Sequence, residues 1–326
     1  MKITVKIRRA LAGGGAPFAT VVCLLMYAIY AVRAPSALSI FGITNVLNDA
    51  IVLAIGSVGL TVVVLAGEFD LSGVGVIAIA NVLVATTSGA TGLGAVGSLA
   101  LVLAIGLLVG TINGVLVALF HLQSLAATIG TMIACEGVAL LILPAPGGEV
   151  ADNIATGLTG DVAGVMPVAL LILGGFAAAW FLFKRTSLGV AIYATGADAQ
   201  AARLSGINLR RTRLVAFMLA GLCYAFAGYM LSAETGTGDP RVSSALLLFM
   251  YAAVAIGGTS LSGGKGGVFG SLAGAGILTV LQKMLFALGV AEFYTNIFNG
   301  IVMICALLFG NLASLLVGSV RRQVAK

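Results

Sequence analysis

Long apolar stretches, separated by short polar or glycine-rich intervals, set the pattern of this chain. They run, within a few residues, over 17–32, 48–66, 74–88, 92–120, 122–144, 164–183, 214–232, 246–258, 267–288 and 294–317. Most match or approach the roughly 20 residues an α-helix needs to cross a hydrocarbon layer of about 30 Å. The stretches are too long and alternate too little for barrel strands. Backbone groups in lipid must also bond within their own segment, so helices are predicted. The pattern predicts an all-α polytopic membrane protein of about ten transmembrane helices.

Composition agrees, and charge adds an orientation. The 326 residues are 60% hydrophobic and 9% charged, where a soluble domain carries about 25% charged residues. Lys2, Lys6, Arg8 and Arg9 precede the first span, which predicts a cytoplasmic N-terminus. Ten spans return Arg321, Arg322 and Lys326 to the same side, so both termini are expected to be cytoplasmic. The loop after the sixth span, with Lys184, Arg185, Arg203, Arg210, Arg211 and Arg213, falls there too, as does Lys265. Only Arg33, Arg241 and Lys283 are left outside, together with Glu149, Asp152, Asp161, Glu234, Asp239 and Glu292. The net charge of +6 therefore reads as a topology signal, and no nucleic-acid partner is expected. "AVRAPSA" (31–37) puts Arg33 and Pro35 where a leader cleavage site needs small neutral residues, so the first helix is expected to be retained.

Enzyme chemistry finds little support. Cys23, Cys135, Cys223 and Cys305 stand singly inside apolar runs without metal-ligand spacing, and His121 is the single histidine. Neither a metal site nor a catalytic set is expected. The 45 glycines are about twice ordinary usage. Many lie inside spans, as in "GAVGSLALVLAIGLLVGTING" (94–114), and predict a tightly packed, glycine-rich bundle.

Two stretches are more specific. In "LAGEFDLSGVGVIAIAN" (65–81), Glu68 and Asp70 interrupt apolar sequence beside Gly67, Gly73 and Gly75. Two readings stay open: a cytoplasmic turn between spans, or a discontinuous helix whose freed backbone groups meet a polar path. The second stretch is "KRTSLGVAIYATGADAQAARLSGINLRRTRL" (184–214). Here Asp198 opens a short helix, Arg203 lies near its end and Gly206 stops it, the form of a docking element.

These stretches carry a resemblance. "GEFDLS" (67–72) resembles the GxxDLS segment of the permease subunits of ribose-type sugar ABC importers, in the branched-chain amino acid and sugar permease superfamily. "TSLGVAIYATGADAQAARLSGINLRRTR" (186–213) is similar to their cytoplasmic loop, with Gln200-Ala201-Ala202 and Gly206 in the EAA-xxx-G pattern and Gln200 in place of its Glu. "AAVAIGGTSLSGGKGGVFGSLAGAGIL" (252–278) resembles their C-terminal segment. "ALLLFMYAA" (245–253) departs from the usual GYELDAIAA by losing both acids.

Leu261-Ser262-Gly263-Gly264-Lys265 is one residue from the LSGGQ of ABC ATPases, but an ATPase also needs GxxxxGK[ST], and Gly266 and Gly267 follow Lys265. The run is read as a glycine-rich turn at a membrane face. The resemblance implies one permease domain over 1–326, with a coupling loop at 184–213 and no ATPase site or cofactor of its own. ATP and Mg would be held by partner ATP-binding subunits. An extracytoplasmic binding protein would deliver the sugar, a second permease subunit would complete a homo- or heterodimer, and the site would be a bacterial inner membrane. Coupling is assigned to Asp198, Ala199, Gln200, Ala201, Ala202, Arg203, Leu204 and Gly206, and the translocation path to Glu68, Asp70, Ser72, Asn81, Asn113 and Asn299. The alternative is a stand-alone secondary transporter or channel for a small polar solute, with Glu68, Asp70 and Glu136 as its coupling carboxylates.

Overall fold

The computed structural model describes residues 15–89, 93–242 and 244–290, and beyond them 297, 298, 300, 301 and 304. Its elements are α1 (Gly15–Arg33), a 3-10 turn (Pro35–Leu38), α2 (Ile40–Leu65), α3 (Gly73–Thr87), α4 (Gly94–Ala118), α5 (Ser124–Ile142) and α6 (Asp152–Thr159). A two-residue hairpin, β1 (Asp161–Val162) and β2 (Met166–Pro167), leads into α7 (Val168–Phe183), α8 (Ser187–Ala197) and α9 (Ala199–Leu204). Then come α10 (Leu209–Thr235), α11 (Ser244–Ile256) and α12 (Val268–Ala287).

Six of these helices, α1, α2, α4, α5, α10 and α12, are long and apolar enough to cross a membrane. The pair α7 and α8 passes only if taken together, and it is bent by 81°. The chain is thus a multi-pass membrane protein. Two of the ten predicted spans are short apolar helices, the 15-residue α3 and the 13-residue α11. The predicted span 294–317 lies largely outside the described residues, and residues 1–14 and 305–326 lie wholly outside them.

Burial sorts the helices. α2 and α10 are mostly buried within the chain, whereas α1 and α5 are mostly exposed. α10 is the hub, packing chiefly on α4, α2 and α3. Close approach comes from glycine. A Cβ on Gly106, Gly110 or Gly114 of α4 would lie 2.3 Å from Gly221 O, 2.4 Å from Phe217 O and 2.7 Å from Leu214 Cδ1 respectively. Three glycines at four-residue spacing form one helical face, and that face lets two antiparallel backbones touch. Without a hydrophobic driving force between helices in lipid, such contact is what holds them together. α12 repeats the device on α11, where Gly270 and Gly274 meet the carbonyls of Gly257 and Ala253.

Two registers fix the interior. α2 and α12 run antiparallel, joined by a 2.6 Å hydrogen bond between the hydroxyls of Thr61 and Ser271 and by the ion pair Asp49–Lys283. α3 runs parallel to α10, with Gly73 beside Tyr224, Ile77 beside Gly228, and Asn81 bonded to Ser232. Its first residue is therefore level with the middle of the 27-residue α10. α3 is a half-helix that starts inside the bundle.

Gly110→Leu should separate α4 from α10, and we expect loss of monodisperse protein on size-exclusion in detergent. Gly174→Leu on α7, where a Cβ meets nothing within 4 Å, should leave the profile unchanged. Equal behaviour of the two variants would remove the glycine face as the basis of packing.

Candidate functional site: an interior break, a docking helix and a polar cavity

Between Leu65 and Gly73 the chain leaves helical geometry; its backbone groups find partners on two other helices, and its side chains on two more. The amide of Phe69 donates to Ser124 Oγ (3.3 Å) and that of Leu71 to Thr128 Oγ1 (3.1 Å), both on α5. The amide of Asp70 donates to the Tyr251 hydroxyl of α11 (3.2 Å), and that hydroxyl lies 3.2 Å from Asp70 O. Asp70 is buried, and its Oδ1 accepts from both the amide (2.9 Å) and the hydroxyl (2.6 Å) of Ser72. Asn113 of α4 donates to Ser72 Oγ (2.9 Å) and accepts from Thr131 (2.8 Å). Glu68 forms an ion pair with Arg213 at the start of α10 (2.8 Å). Irregular backbone in a membrane interior persists only where neighbouring groups satisfy it in this way.

One end of the bundle is a junction of glycine backbones. The amide of Gly264 donates to Leu65 O at the last residue of α2 (3.1 Å). A Cβ on Gly196 of α8 would fall 1.9 Å from that carbonyl and 2.8 Å from Gly264 N, and one on Gly263 would lie 2.9 Å from Gly67. The Leu261–Lys265 run is a cap on α2 packed against α8, and the glycines at 263 and 264 adopt φ of +89° and +68°. α9 follows directly. Asp198 caps it, accepting from Ala201 N (2.9 Å), and Gly206 ends it at φ +84°. Ala202 is buried at 4% exposure and Ala199 is half-buried, while Gln200, Ala201, Arg203 and Leu204 (83% exposed) point away from the bundle.

The opposite end holds a cavity of about 520 Å³. Asp49, Asn81, Glu234, Asp239 and Arg241 line it, with Phe249 as its aromatic wall. Asp49 pairs with Lys283, and Glu234 lies against both. Asn81 is engaged already: its amide nitrogen donates to Ser232 Oγ (2.8 Å) and Thr237 O (3.2 Å), and its oxygen accepts from Asp239 N. It pins the loop that roofs the cavity.

The structure therefore divides the residues expected on the path. Asp70, Ser72 and Asn113 share one interior network, Glu68 belongs to an ion pair near α9, Asn81 reaches the cavity, and Asn299 lies outside the described residues. Glu136 is half-buried on α5, apart from both ends. Sequence reasoning missed the cluster of Asp49, Glu234 and Lys283. A signal existed, because Asp49 and Lys283 each fall within a predicted span, where a charge calls for a partner. Among the described residues no group of three or more metal-ligating side chains occurs.

These features define a helical membrane protein with a polar cavity at one end and an exposed, capped helix at the other. The chain belongs to the family described as the permease component of branched-chain amino acid transport systems, whose pattern matches residues 42–307. It is 35% identical over 294 residues to the ribose import permease protein RbsC of Escherichia coli K12, covering 88% of this chain and 91% of that one. It is 32% identical over 291 residues to the L-arabinose ABC transporter permease protein AraH of Azospirillum brasilense (88% and 85% covered). It is also 28% identical over 311 residues to the galactose/methyl galactoside import permease protein MglC of Salmonella typhimurium (90% and 93% covered). No solved structure matches it. The resemblance to ribose-type sugar ABC permeases, drawn from the motifs, holds across most of the chain.

Asn113→Ala would leave Ser72 and Thr131 short of a buried partner, and we expect a loss of about 1–3 kcal/mol in stability. A thermal-shift measurement in detergent reads it, and an unchanged midpoint would show that the network does not stabilise the break.

Proposed function

We propose that this protein is the transmembrane subunit of an ATP-driven importer that moves a sugar, delivered by an extracytoplasmic binding protein, through alternating access. Residues 1–326 act as one permease domain in a bacterial inner membrane. The end carrying α9 faces the cytoplasm, and about ten helices place both termini there. ATP and Mg are bound and turned over on separate ATP-binding subunits, and this chain supplies neither cofactor nor catalysis. A second permease subunit completes the assembly. In support of that contact, α5 presents Ala126, Gly130, Ala134 and Gly137 along its exposed side.

The observation that carries the reading is α9. It is short, capped at both ends and tied by the glycine junction to α2, and Ala201 and Leu204 are exposed on it, with no described residue of the bundle covering them. A helix that transmits force has to be rigid and seat closely, and this one offers Ala201, Leu204, Gln200 and Arg203 to a partner groove. The cavity at the other end suits a hydroxylated solute: carboxylates and the Arg241 guanidinium to exchange hydrogen bonds, beside the ring of Phe249.

The test is reconstitution in proteoliposomes with the cognate ATP-binding subunits and binding protein. Ala201→Glu should block seating, and Gly206→Val should strain the +84° turn. Both variants should insert normally yet lose substrate-stimulated ATP hydrolysis and uptake together. Full uptake by Ala201→Glu with the ATPase bound would refute the docking assignment. Asp49→Asn and Glu234→Gln should each lower uptake about tenfold, as expected for loss of a charge-assisted hydrogen bond. Unchanged uptake in both would remove the cavity from the path.

A further inference from the structure

A second cavity, of about 460 Å³, opens at the α9 end of the bundle, between the start of α1, the α7–α8 elbow and the start of α12. Trp180, Lys184, Tyr193 and Phe269 line it, with Thr20 and the backbone of Gly266 and Gly267. It shares no residue with the cavity lined by Asp49 and Glu234. Its walls are built rather than incidental. Trp180 is 5% exposed and packs on Phe183 and Tyr193, with ring centroids 5.7 and 6.3 Å apart. The Tyr193 hydroxyl donates to Gly266 O (2.8 Å), which holds the glycine loop against the elbow.

Lys184 supplies the charge. Its ammonium lies 5.2 Å from the Phe181 ring centre and 5.3 Å from that of Phe269, and no described carboxylate lies within 4.0 Å of it. Nearby charge has the same sign. Among the described residues at this end are Arg185, Arg203, Arg210, Arg211, Arg213 and Lys265, against Asp198, which caps α9, and Glu68, which Arg213 already neutralises. The cavity also lies where the helices end. Lys184 closes α7, Trp180 sits one turn earlier, and Gly15 and Gly267 mark the starts of α1 and α12. Tryptophan, tyrosine and lysine gather at the depth of lipid headgroups, and basic pockets between helices at such a surface take anionic headgroups.

We propose that this cavity binds one anionic phospholipid, its phosphate against Lys184 and its acyl chains along the exposed side of α1. Phe18, Val21, Leu24 and Leu25 of α1 are each more than half exposed and continue outward from the cavity mouth. The site rests on the chain being a multi-pass membrane protein and not on the transported solute, so it stands or falls apart from the import reading.

The experiment uses the full chain in nanodiscs of phosphatidylcholine with a minor fraction of phosphatidylglycerol, with retained lipid counted by native mass spectrometry. We expect one phosphatidylglycerol retained per chain, and Lys184→Gln to weaken retention about fivefold, the effect of one basic residue at an anionic surface. Lys184→Arg should restore it, which separates charge from misfolding. Lys265→Gln, an exposed charge at the same end but outside the cavity, should have no effect. Equal retention by Lys184→Gln, or equal weakening by Lys184→Gln and Lys265→Gln, would overturn the site. Displacement of the lipid by millimolar inorganic phosphate would show that the cavity reads a free anion, and would overturn the lipid assignment.

Discussion

Everything in this bundle depends on keeping a stretch of non-helical backbone inside a medium that offers it no water. The amides of Phe69, Asp70 and Leu71 have no helical partner, and each unpaired group at that depth is costly. The chain answers with side chains drawn from distant parts of the sequence: Ser124 and Thr128 from α5, Tyr251 from α11, and Asp70 folded back on Ser72. Those bonds fix where α5 and α11 sit, and through Asn113 they reach α4 as well. The break is thus a fastening point at which α2, α3, α4, α5 and α11 are held in one arrangement. Its glycines serve the same end: a Cβ on Gly73 would crowd Tyr224 and Met250 at 3.0 and 3.2 Å, and one on Gly75 would fall 2.8 Å from Met132 O.

The second fastening is made of backbone alone. Leu65 O, Gly67, Gly196, Gly263 and Gly264 meet at distances that leave no room for a side chain on several of them. This accounts for the run that looks like a nucleotide signature. Gly263 and Gly264 hold positive φ and cap α2, so packing and turn geometry account for the spelling. The same contact joins α2 to α8, and α9 begins three residues after Gly196.

Much of this was legible in the chain and some was not, for identifiable reasons. Hydropathy located the long helices, since length and apolarity are local properties. It could not distinguish α3 and α11 from full spans: α3 is as apolar as the long α2, and its depth is set by Asn81 meeting Ser232 across 151 positions. The bend of 81° between α7 and α8 follows "KRTS", which reads equally well as a loop. The stop at Gly206 was visible because glycine after a short capped helix has one common use. Asp49 and Lys283 carried a signal as charges within predicted spans, but that they meet each other and Glu234 is set by how α2, α10 and α12 pack, which is not a local property of the sequence. Of the candidate path residues, Ser72 and Asn113 carry the right chemistry for a sugar, yet in this fold each is already bonded to the other.

The antiparallel pair of α2 and α12 has a mechanical meaning. It is pinned at Thr61–Ser271 and again at Asp49–Lys283, twelve residues along each helix, and its lower end is clamped in the glycine junction beside α9. Two pins forbid either helix from sliding on the other, so the pair behaves as a single stiff lever. From Leu65 to Asp49 the arm is sixteen residues, about 24 Å at 1.5 Å per residue, and a tilt of about 5° at the junction displaces its far end by about 2 Å. A displacement of the glycine junction would therefore carry over to the carboxylates lining the cavity at the opposite end of the pair.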